Sequence, residues 1–196
     1  DTPDDVKRKI RLATILGTFQ STLTDFKYLR KIWKQNTEEE RLLGVSLTGI
    51  LDNKWMSGRG TYQLGNIIPE LRREAVKTNE EYAKKLRIQQ SAAITCVKPS
   101  GTVSQLVDSA SGIHARYSPY YIRRVRGFLR DSGIPSEKDV TNPEVVVFDF
   151  PIKSPKGAIV TDDMSAIDQL ELWLAYQEYW CEHKPSITVS VAEDEW

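Results

Sequence analysis

Hydrophobic and polar positions repeat along this chain with two periods, and the longer period predicts helices. The predicted helices cover about residues 3–23, 25–34, 61–87 and 161–183. The first has Thr2 as its N-cap, Pro3 at its first position and Asp5 to complete a capping box. In the third, Pro69 is expected to kink the helix or to divide it in two.

Short apolar runs, several of them β-branched or aromatic, predict strands between these helices. The predicted strands cover residues 42–47, 92–97, 120–125, 145–150 and 187–191, and residues 133–136 form a turn. Helices and strands therefore alternate through most of the chain, which indicates an α/β architecture. The sequence has no internal repeat and no low-complexity segment, so we expect a single domain over residues 1–196.

The composition excludes some classes of function. Lys+Arg and Asp+Glu each number 27, and this formal neutrality disfavours bulk nucleic-acid binding. No stretch has the length of a membrane span, so no membrane partner is expected. Two cysteines and two well-separated histidines predict no metal centre. The low cysteine content and an acidic N-terminus without an apolar signal core are typical of a protein of the reducing cytoplasm. The abrupt start in a capped helix and the abrupt end after an apolar run suggest a piece of something longer.

The most informative stretch runs from Ile94 to Ser104, with the sequence ITCVKPSGTVS. A predicted strand ends at a proline, small hydroxylated residues flank Gly101, and a short helix is expected to begin near Thr102. Unpaired N–H groups, the helix dipole and the hydroxyls of Ser100, Thr102 and Ser104 could together form a cradle for phosphate oxygens. The spacing is not that of a Walker A loop, and the alternative interpretation is an ordinary helix cap.

A second stretch, residues 108–124, is rich in small polar residues and then in aromatic and basic ones. It is interpreted either as the wall of a cleft or as a strand with one solvated face. The arginine cluster at its end, Arg123, Arg124 and Arg126, is a candidate for anion binding. With nearby tyrosines they also support a weaker hypothesis, an RNA-binding domain. His114 is either a proton carrier or a hydrogen-bonded loop histidine, and Cys96 and Cys181 are expected to be buried and inert.

Several segments together resemble the monomeric, adenosylcobalamin-dependent ribonucleoside-triphosphate reductases. The matching segments are KIRLATILGT (9–18), RLLGVSLTGI (41–50), SAAITCVKPSGTVSQL (91–106), ASGIH (110–114) and KPSITVSV (184–191). The resemblance covers essentially the whole chain and keeps the order of the family's segments.

This resemblance implies a fold, a site and partners. The fold is part, roughly the second half, of a ten-stranded α/β barrel made from two antiparallel five-stranded halves. The substrate's phosphates would be bound by Ser100, Gly101, Thr102, Val103 and Ser104. The parent enzyme would use adenosylcobalamin as its cofactor and a ribonucleoside triphosphate as its substrate. Its partners would be the remainder of the reductase chain and a thiol reductant such as thioredoxin.

The chain departs from the family pattern where the radical chemistry occurs. The family's radical cysteine lies in an Asn-x-Cys-x-Glu motif, which is absent from this sequence, and Cys96 does not match it. The family's redox cysteine pairs are not identifiable either. The sequence therefore assigns no catalytic residue to this chain, and we expect it to be inactive alone although the parent enzyme reduces ribonucleotides. The alternative hypothesis is a non-catalytic nucleotide- or phosphate-binding module.

Overall fold

Helices and short strands alternate along the computed structural model, which describes residues 2–59, 63–127, 133–142 and 144–195. The helices are α1 (Pro3–Gln20), α2 (Lys31–Glu40), α3 (Leu64–Leu86), α4 (Val103–Leu106) and α5 (Ala166–Tyr179). The strands are β1 (Val45–Ser46), β2 (Thr95–Cys96), β3 (Tyr120–Gly127), β4 (Ser136–Lys138) and β5 (Val146–Lys153). Short 3-10 turns cover Ile50–Asp52, Thr161–Asp163 and Glu193–Glu195. Within these described ranges, no helix has both the length and the apolar character needed to cross a membrane.

Helix α1 packs along α3 through a stripe that is partly polar. The predicted capping box is confirmed, since the Asp5 N–H donates to the Thr2 hydroxyl at 3.2 Å and the Thr2 N–H donates to the Asp5 carboxylate at 3.0 Å. On the buried face, the hydroxyls of Thr14 and Thr18 donate to carbonyls one turn earlier. Asn79 of α3 donates to the Thr18 hydroxyl at 3.0 Å. Because these buried polar groups are hydrogen-bonded, their burial costs little free energy.

Helix α2 begins at Lys31 and not at Asp25 as predicted, and it includes three glutamates that were expected to lie outside it. The Thr24 hydroxyl donates to the Glu38 carboxylate at 2.8 Å. This bond holds the segment after α1 against α2, so the segment does not become part of the helix.

Helix α3 runs without a break through Pro69, so the predicted division of this helix is wrong. The predicted start at Thr61 lies outside the described residues. A proline inside a helix costs about 3 kcal/mol. Burial of one Ile or Leu side chain contributes about 1.5–3 kcal/mol, and Ile68 and Leu71 on either side of the proline are both buried in the core. Their burial offsets the lost hydrogen bond.

The aromatic side chains at the C-terminal end of α5 occupy the centre of the core. Tyr176 and Trp180 are each 0% exposed. The Tyr176 hydroxyl donates to the Met56 carbonyl at 2.8 Å, and the Trp180 indole N–H donates to the Cys96 carbonyl at 2.7 Å. The aliphatic stripe of Ile167, Leu170 and Leu174, which share one side of the helix by their spacing, is exposed. Large aromatic groups bury more area once their polar tips are paired, and this outweighs the aliphatic stripe.

Strands β1 and β2 form a parallel pair, and the chain after α5 continues the hydrogen bonding on the far side of β2. The Glu182 N–H donates to the Thr95 carbonyl at 3.1 Å, and the Ser186 N–H donates to the Val97 carbonyl at 3.3 Å. The Glu182 carboxylate accepts the N–H groups of Ile94 and Thr95. A carboxylate side chain thus takes the place of a further strand at this edge.

The strand predicted over residues 187–191 is wrong, because this segment is irregular. The Thr188 N–H donates to the His114 ring at 3.1 Å, and the Ser190 N–H donates to the Gln169 side chain at 3.0 Å. Alternate N–H groups are therefore bound by side chains and not by a neighbouring strand.

The remaining strands form an antiparallel sheet in the order β3-β5-β4, which confirms the predicted strands over residues 120–125 and 145–150. Arg124 lies opposite Asp149 in the register. It donates to Asp149 at 3.0 Å and to Glu137 of β4 at 2.7 Å. Strand β4 begins at Ser136, the last residue of the predicted turn.

Replacing Glu182 with Gln is expected to lower the free energy of unfolding by about 1–2 kcal/mol. The amide keeps one oxygen for the N–H groups of Ile94 and Thr95, but it loses the negative charge and the second oxygen, which accepts from Arg72. Burial opposes ionisation of Glu182, but the N–H groups of Ile94 and Thr95 and the guanidinium of Arg72 outweigh it. They hold the pKa of this carboxyl below its ordinary value of 4.5.

A depressed folded-state pKa gives stability that is present above the unfolded value and is lost as the pH falls through the folded value. Urea unfolding at a series of pH values below about 5 should therefore show a smaller loss of stability in Glu182→Gln than in the wild type. Glu137→Gln, at an exposed ion pair, is the control and should change stability by less than about 1 kcal/mol. Equal pH dependence in the wild type and Glu182→Gln would contradict this account.

Candidate functional site

The predicted phosphate-binding segment, Ser100–Ser104, leaves the end of β2 and turns into α4. Ser100 has a left-handed backbone with a φ of 47°. The Ser104 N–H donates to the Ser100 carbonyl at 3.0 Å, which closes the turn. The predicted short helix is confirmed, but α4 is a single turn of four residues. A dipole built from so few peptides is weak, so N–H groups and side chains decide what this segment can bind.

Three main-chain N–H groups in this segment have no acceptor among the described residues, those of Gly101, Thr102 and Val103. All three residues are exposed. A Cβ placed on Gly101 would meet nothing within 4 Å, so there is open space beside the backbone. An unpaired N–H beside open space can donate to a ligand without first breaking a bond within the protein.

The hydroxyl of Ser100 is directed inward, and its hydrogen is donated to another group of the protein. It lies 2.8 Å from the Thr48 hydroxyl. The Thr48 hydroxyl donates to the Ala110 carbonyl at 2.9 Å, so the shared hydrogen must come from Ser100. The Gly112 N–H donates to both hydroxyls, at 3.1 Å to Ser100 and 3.0 Å to Thr48. Ser100 therefore shapes the loop and has no hydrogen left to donate to a ligand.

Ser104 is also directed inward and is 0% exposed. Its hydroxyl lies 3.0 Å from that of Ser111 and accepts from the Gln105 amide at 3.0 Å. Of the three hydroxyls expected to face an anion, that of Thr102 is the exposed one.

A buried ion pair supports the segment that packs against this loop. The Arg116 guanidinium donates to the two Asp52 oxygens at 2.8 and 2.9 Å and to the Asp108 carbonyl at 2.7 Å. The same Asp52 carboxylate accepts the Ala110 N–H at 2.7 Å. The hydrogen bonds to Asp52 raise the pKa of Arg116, so it stays charged. Sequence reasoning missed this pair, because its two residues are 64 positions apart and no local spacing joins them.

The segment opens onto a cleft with a volume of about 510 Å³. Its walls include Gly101, His114, Tyr117, Tyr121 and Arg123, and no Asp or Glu is among the described residues that line it. Of its two arginines, Arg116 is committed to Asp52 and Asp108. The cleft therefore suits an anion better than a cation.

His114 is a hydrogen-bonded loop histidine, which is one of the two roles predicted for it. Its Nδ1 lies 2.9 Å from the Ser111 carbonyl, and its Nε2 accepts the Thr188 N–H at 3.1 Å. A donor N–H at Nε2 and an acceptor carbonyl at Nδ1 fit the tautomer that carries its hydrogen on Nδ1.

The predicted arginine cluster is divided between the two faces of β3, because successive side chains of a strand point to opposite sides. Arg124 pairs with Glu137 and Asp149, and Arg126 pairs with Asp139. Arg123 points the other way and donates to the Gly101 carbonyl at 3.0 Å. The three arginines therefore do not form one anion site.

The two cysteines are free and buried, as predicted. Burial raises the pKa of the Cys181 thiol to about 12 and also raises the pKa of Cys96. Both are held as neutral thiols, which are poor nucleophiles. In the part of the chain that the structure describes, no group of His, Cys, Asp and Glu residues could hold a metal ion.

Comparisons with known proteins find relatives among the adenosylcobalamin-dependent ribonucleoside-triphosphate reductases. A probable adenosylcobalamin-dependent ribonucleoside-triphosphate reductase of Dictyostelium discoideum is 33% identical over 76% of this chain. Adenosylcobalamin-dependent ribonucleoside-triphosphate reductases of Euglena gracilis and Lactobacillus leichmannii are 29% and 25% identical over 97% and 92% of it. The chain spans 21%, 27% and 29% of the lengths of these three proteins. No model of a known protein family matches it.

A solved B12-dependent (class II) ribonucleotide reductase superposes on 94% of this chain with a TM-score of 0.73 and 24% identity. The chain covers 30% of that structure. The predicted fold, a part of the reductases' α/β architecture, is confirmed. Its position in the second half of the barrel and its extent as a single domain stay predictions.

Replacing Gly112 with Ala is expected to destabilise the protein strongly. Gly112 has a φ of 53°, and a Cβ there would lie 2.6 Å from the Lys98 carbonyl oxygen. The left-handed backbone alone costs an alanine about 1–2 kcal/mol, and the clash adds to this. Gly101→Ala, which meets open space, should change the free energy of unfolding by less than about 0.5 kcal/mol. Urea unfolding measures both free energies. Equal effects would contradict the structure, in which position 112 has no room for a side chain and position 101 does.

Proposed function

We propose that this chain, a relative of the adenosylcobalamin-dependent ribonucleoside-triphosphate reductases, is a segment of such an enzyme that binds the phosphates of a ribonucleoside triphosphate. The observation that carries the proposal is the similarity to these reductases along 97% of the chain. The parent protein would convert ribonucleotides to deoxyribonucleotides.

The phosphate-binding role is supported by the geometry of the loop. Gly101, Thr102 and Val103 present unpaired N–H groups beside open space, and the adjoining cleft has no carboxylate among its described lining residues. Main-chain N–H groups bind phosphate oxygens with charge-assisted hydrogen bonds. Ser100 and Ser104 contribute by fixing the loop, because their hydroxyls are bonded within the protein.

A segment that holds phosphates contributes to catalysis by placing the ribose. Fixing one end of a substrate limits its translation and rotation relative to the reacting groups, and this can lower the barrier by several kcal/mol. In the parent enzyme, adenosylcobalamin would supply the radical that starts the reaction. We assign no cobalamin contact to any residue of this chain.

The two cysteines of this chain are not proposed as redox or radical residues. Neither lies in an Asn-x-Cys-x-Glu sequence, and both are buried with raised pKa values. The radical cysteine, and the thiols that a reductant such as thioredoxin would serve, are proposed to belong to the remainder of the parent chain.

The absence of that motif also favours a second candidate, a nucleotide- or phosphate-binding module without catalysis. Both candidate functions use the same phosphate-binding loop. They differ in one respect, because only the first requires the full-length protein to convert the bound nucleotide into a product. An RNA-binding role has less support, because Arg124 and Arg126 are paired with acidic residues.

Replacing Gly101 with Asp in the full-length protein is expected to raise the KM for the nucleoside triphosphate by about tenfold or more, because a charge-assisted contact is lost and a negative charge is added. The kcat should fall much less. Gly101→Asn is the matched control, since it adds the same volume without the charge and should have a smaller effect. Equal and negligible effects of both substitutions would contradict the loop assignment.

The 196-residue chain alone, mixed with adenosylcobalamin, a dithiol and a ribonucleoside triphosphate, is expected to form no deoxynucleotide. The expected reason is that it carries no radical cysteine. Product can be measured by chromatography of the nucleotides, with an active full-length reductase as the positive control. Detectable turnover by the chain alone would show that one of its own cysteines can act.

A further inference from the structure

We propose that Arg123 is a positioning residue for the phosphate loop, Ser100–Ser104, and that it holds the Gly101–Thr102 peptide in the orientation that leaves the Thr102 N–H exposed and unpaired. This inference rests on the phosphate-binding function proposed above. It concerns a residue outside the loop, on strand β3 of the antiparallel sheet.

The geometry of one peptide unit links Arg123 to the Thr102 N–H. The Arg123 guanidinium donates to the Gly101 carbonyl at 3.0 Å. In a planar trans peptide the C=O and the following N–H point in opposite directions, and no described peptide is cis. A carbonyl held toward β3 therefore directs the Thr102 N–H away from β3. Because the donor is charged, this bond is stronger than one between neutral groups.

Little else in the described structure holds this peptide in place. Gly101 has no side chain, and the space where its Cβ would lie is open. The Thr102 N–H has no acceptor within the described part of the chain, so no internal bond opposes a rotation of the peptide. Glycine populates several backbone conformations at similar energy. Without Arg123, the peptide would therefore hold this orientation for only part of the time.

Arg123 is available for this role because no described carboxylate pairs with it. The described residues of the cleft wall include no Asp or Glu that could draw the guanidinium away. The neighbouring Arg124 lies on the opposite face of β3 and is bound by Glu137 and Asp149. Arg124 is thus a matched control, with the same side chain on the same strand and no contact with the loop.

The test is nucleoside triphosphate binding to the full-length protein, measured by calorimetry. Arg123→Met, which keeps the length and removes the donors, should weaken binding by roughly 3- to 10-fold, as expected for the partial loss of one hydrogen bond to a charged group. Arg123→Lys should restore part of the affinity, because its ammonium group can also donate to the Gly101 carbonyl. Arg124→Met should leave the affinity unchanged. Circular dichroism should show that all variants are folded at the assay temperature.

A double-mutant cycle separates positioning from direct contact. Thr102→Pro removes the N–H through which Arg123 is proposed to act, and it should weaken binding by roughly tenfold. If Arg123 acts through that N–H, adding Arg123→Met to Thr102→Pro should cause little further loss. If the two effects multiply, Arg123 contacts the phosphates itself and the positioning role is wrong.

Two further outcomes distinguish this inference from the function on which it rests. If Thr102→Pro weakens binding and Arg123→Met does not, the positioning role fails while the phosphate loop stands. If neither Thr102→Pro, Arg123→Met nor Gly101→Asp changes the affinity, the loop does not bind the phosphates, and both proposals fail.

Discussion

The arrangement of this site depends on one hydrogen-bonded junction, in which the hydroxyls of Thr48 and Ser100 share the N–H of Gly112. The three residues come from three separate segments of the chain. Ser100 has a left-handed backbone at this junction, and the next three residues are exposed and have N–H groups without an acceptor among the described residues. The loop can be open on its ligand side because it is fully bonded on its inner side.

The junction is in turn supported by buried groups that keep its segments in place. Asp52 and Arg116 bind the backbone of residues 108–112 through the Ala110 N–H and the Asp108 carbonyl. The Arg116 side chain is only 3% exposed. Removing one partner of such a pair would leave a buried charge and cost about 3–5 kcal/mol. The parallel strand β2, from which the loop leaves, is fixed by the Glu182 carboxylate and by the Trp180 indole. These buried groups thus help to hold one short loop at the surface.

The sequence predicts those features that arise from neighbouring residues. The capping box of α1, the single turn after Thr102 and the strands β3 and β5 follow from local patterns, and the structure confirms them. Strand alternation separates Arg123 from Arg124, but it does not show which of the two meets an acidic partner. The run from Ile187 to Val191 is apolar enough to be predicted as a strand, and the N–H groups of Thr188 and Ser190 are bound by side chains instead.

Contacts between distant residues are beyond such patterns. Thr48 and Ser100 are 52 positions apart, and no spacing rule joins them. The sequence therefore indicated Ser100 and Ser104 as ligand donors, whereas their hydroxyls are bonded within the protein. The resemblance to the reductases identified the loop, and the geometry shows which of its atoms are free.

The central claim is that main-chain N–H groups of this loop bind a nucleotide's phosphates. A crystal structure of the full-length protein with a ribonucleoside triphosphate tests it most directly. The account predicts phosphate oxygens at about 2.7–3.2 Å from the nitrogens of Gly101, Thr102 or Val103. Phosphates bound elsewhere, with these three N–H groups covered by other parts of the protein, would contradict it.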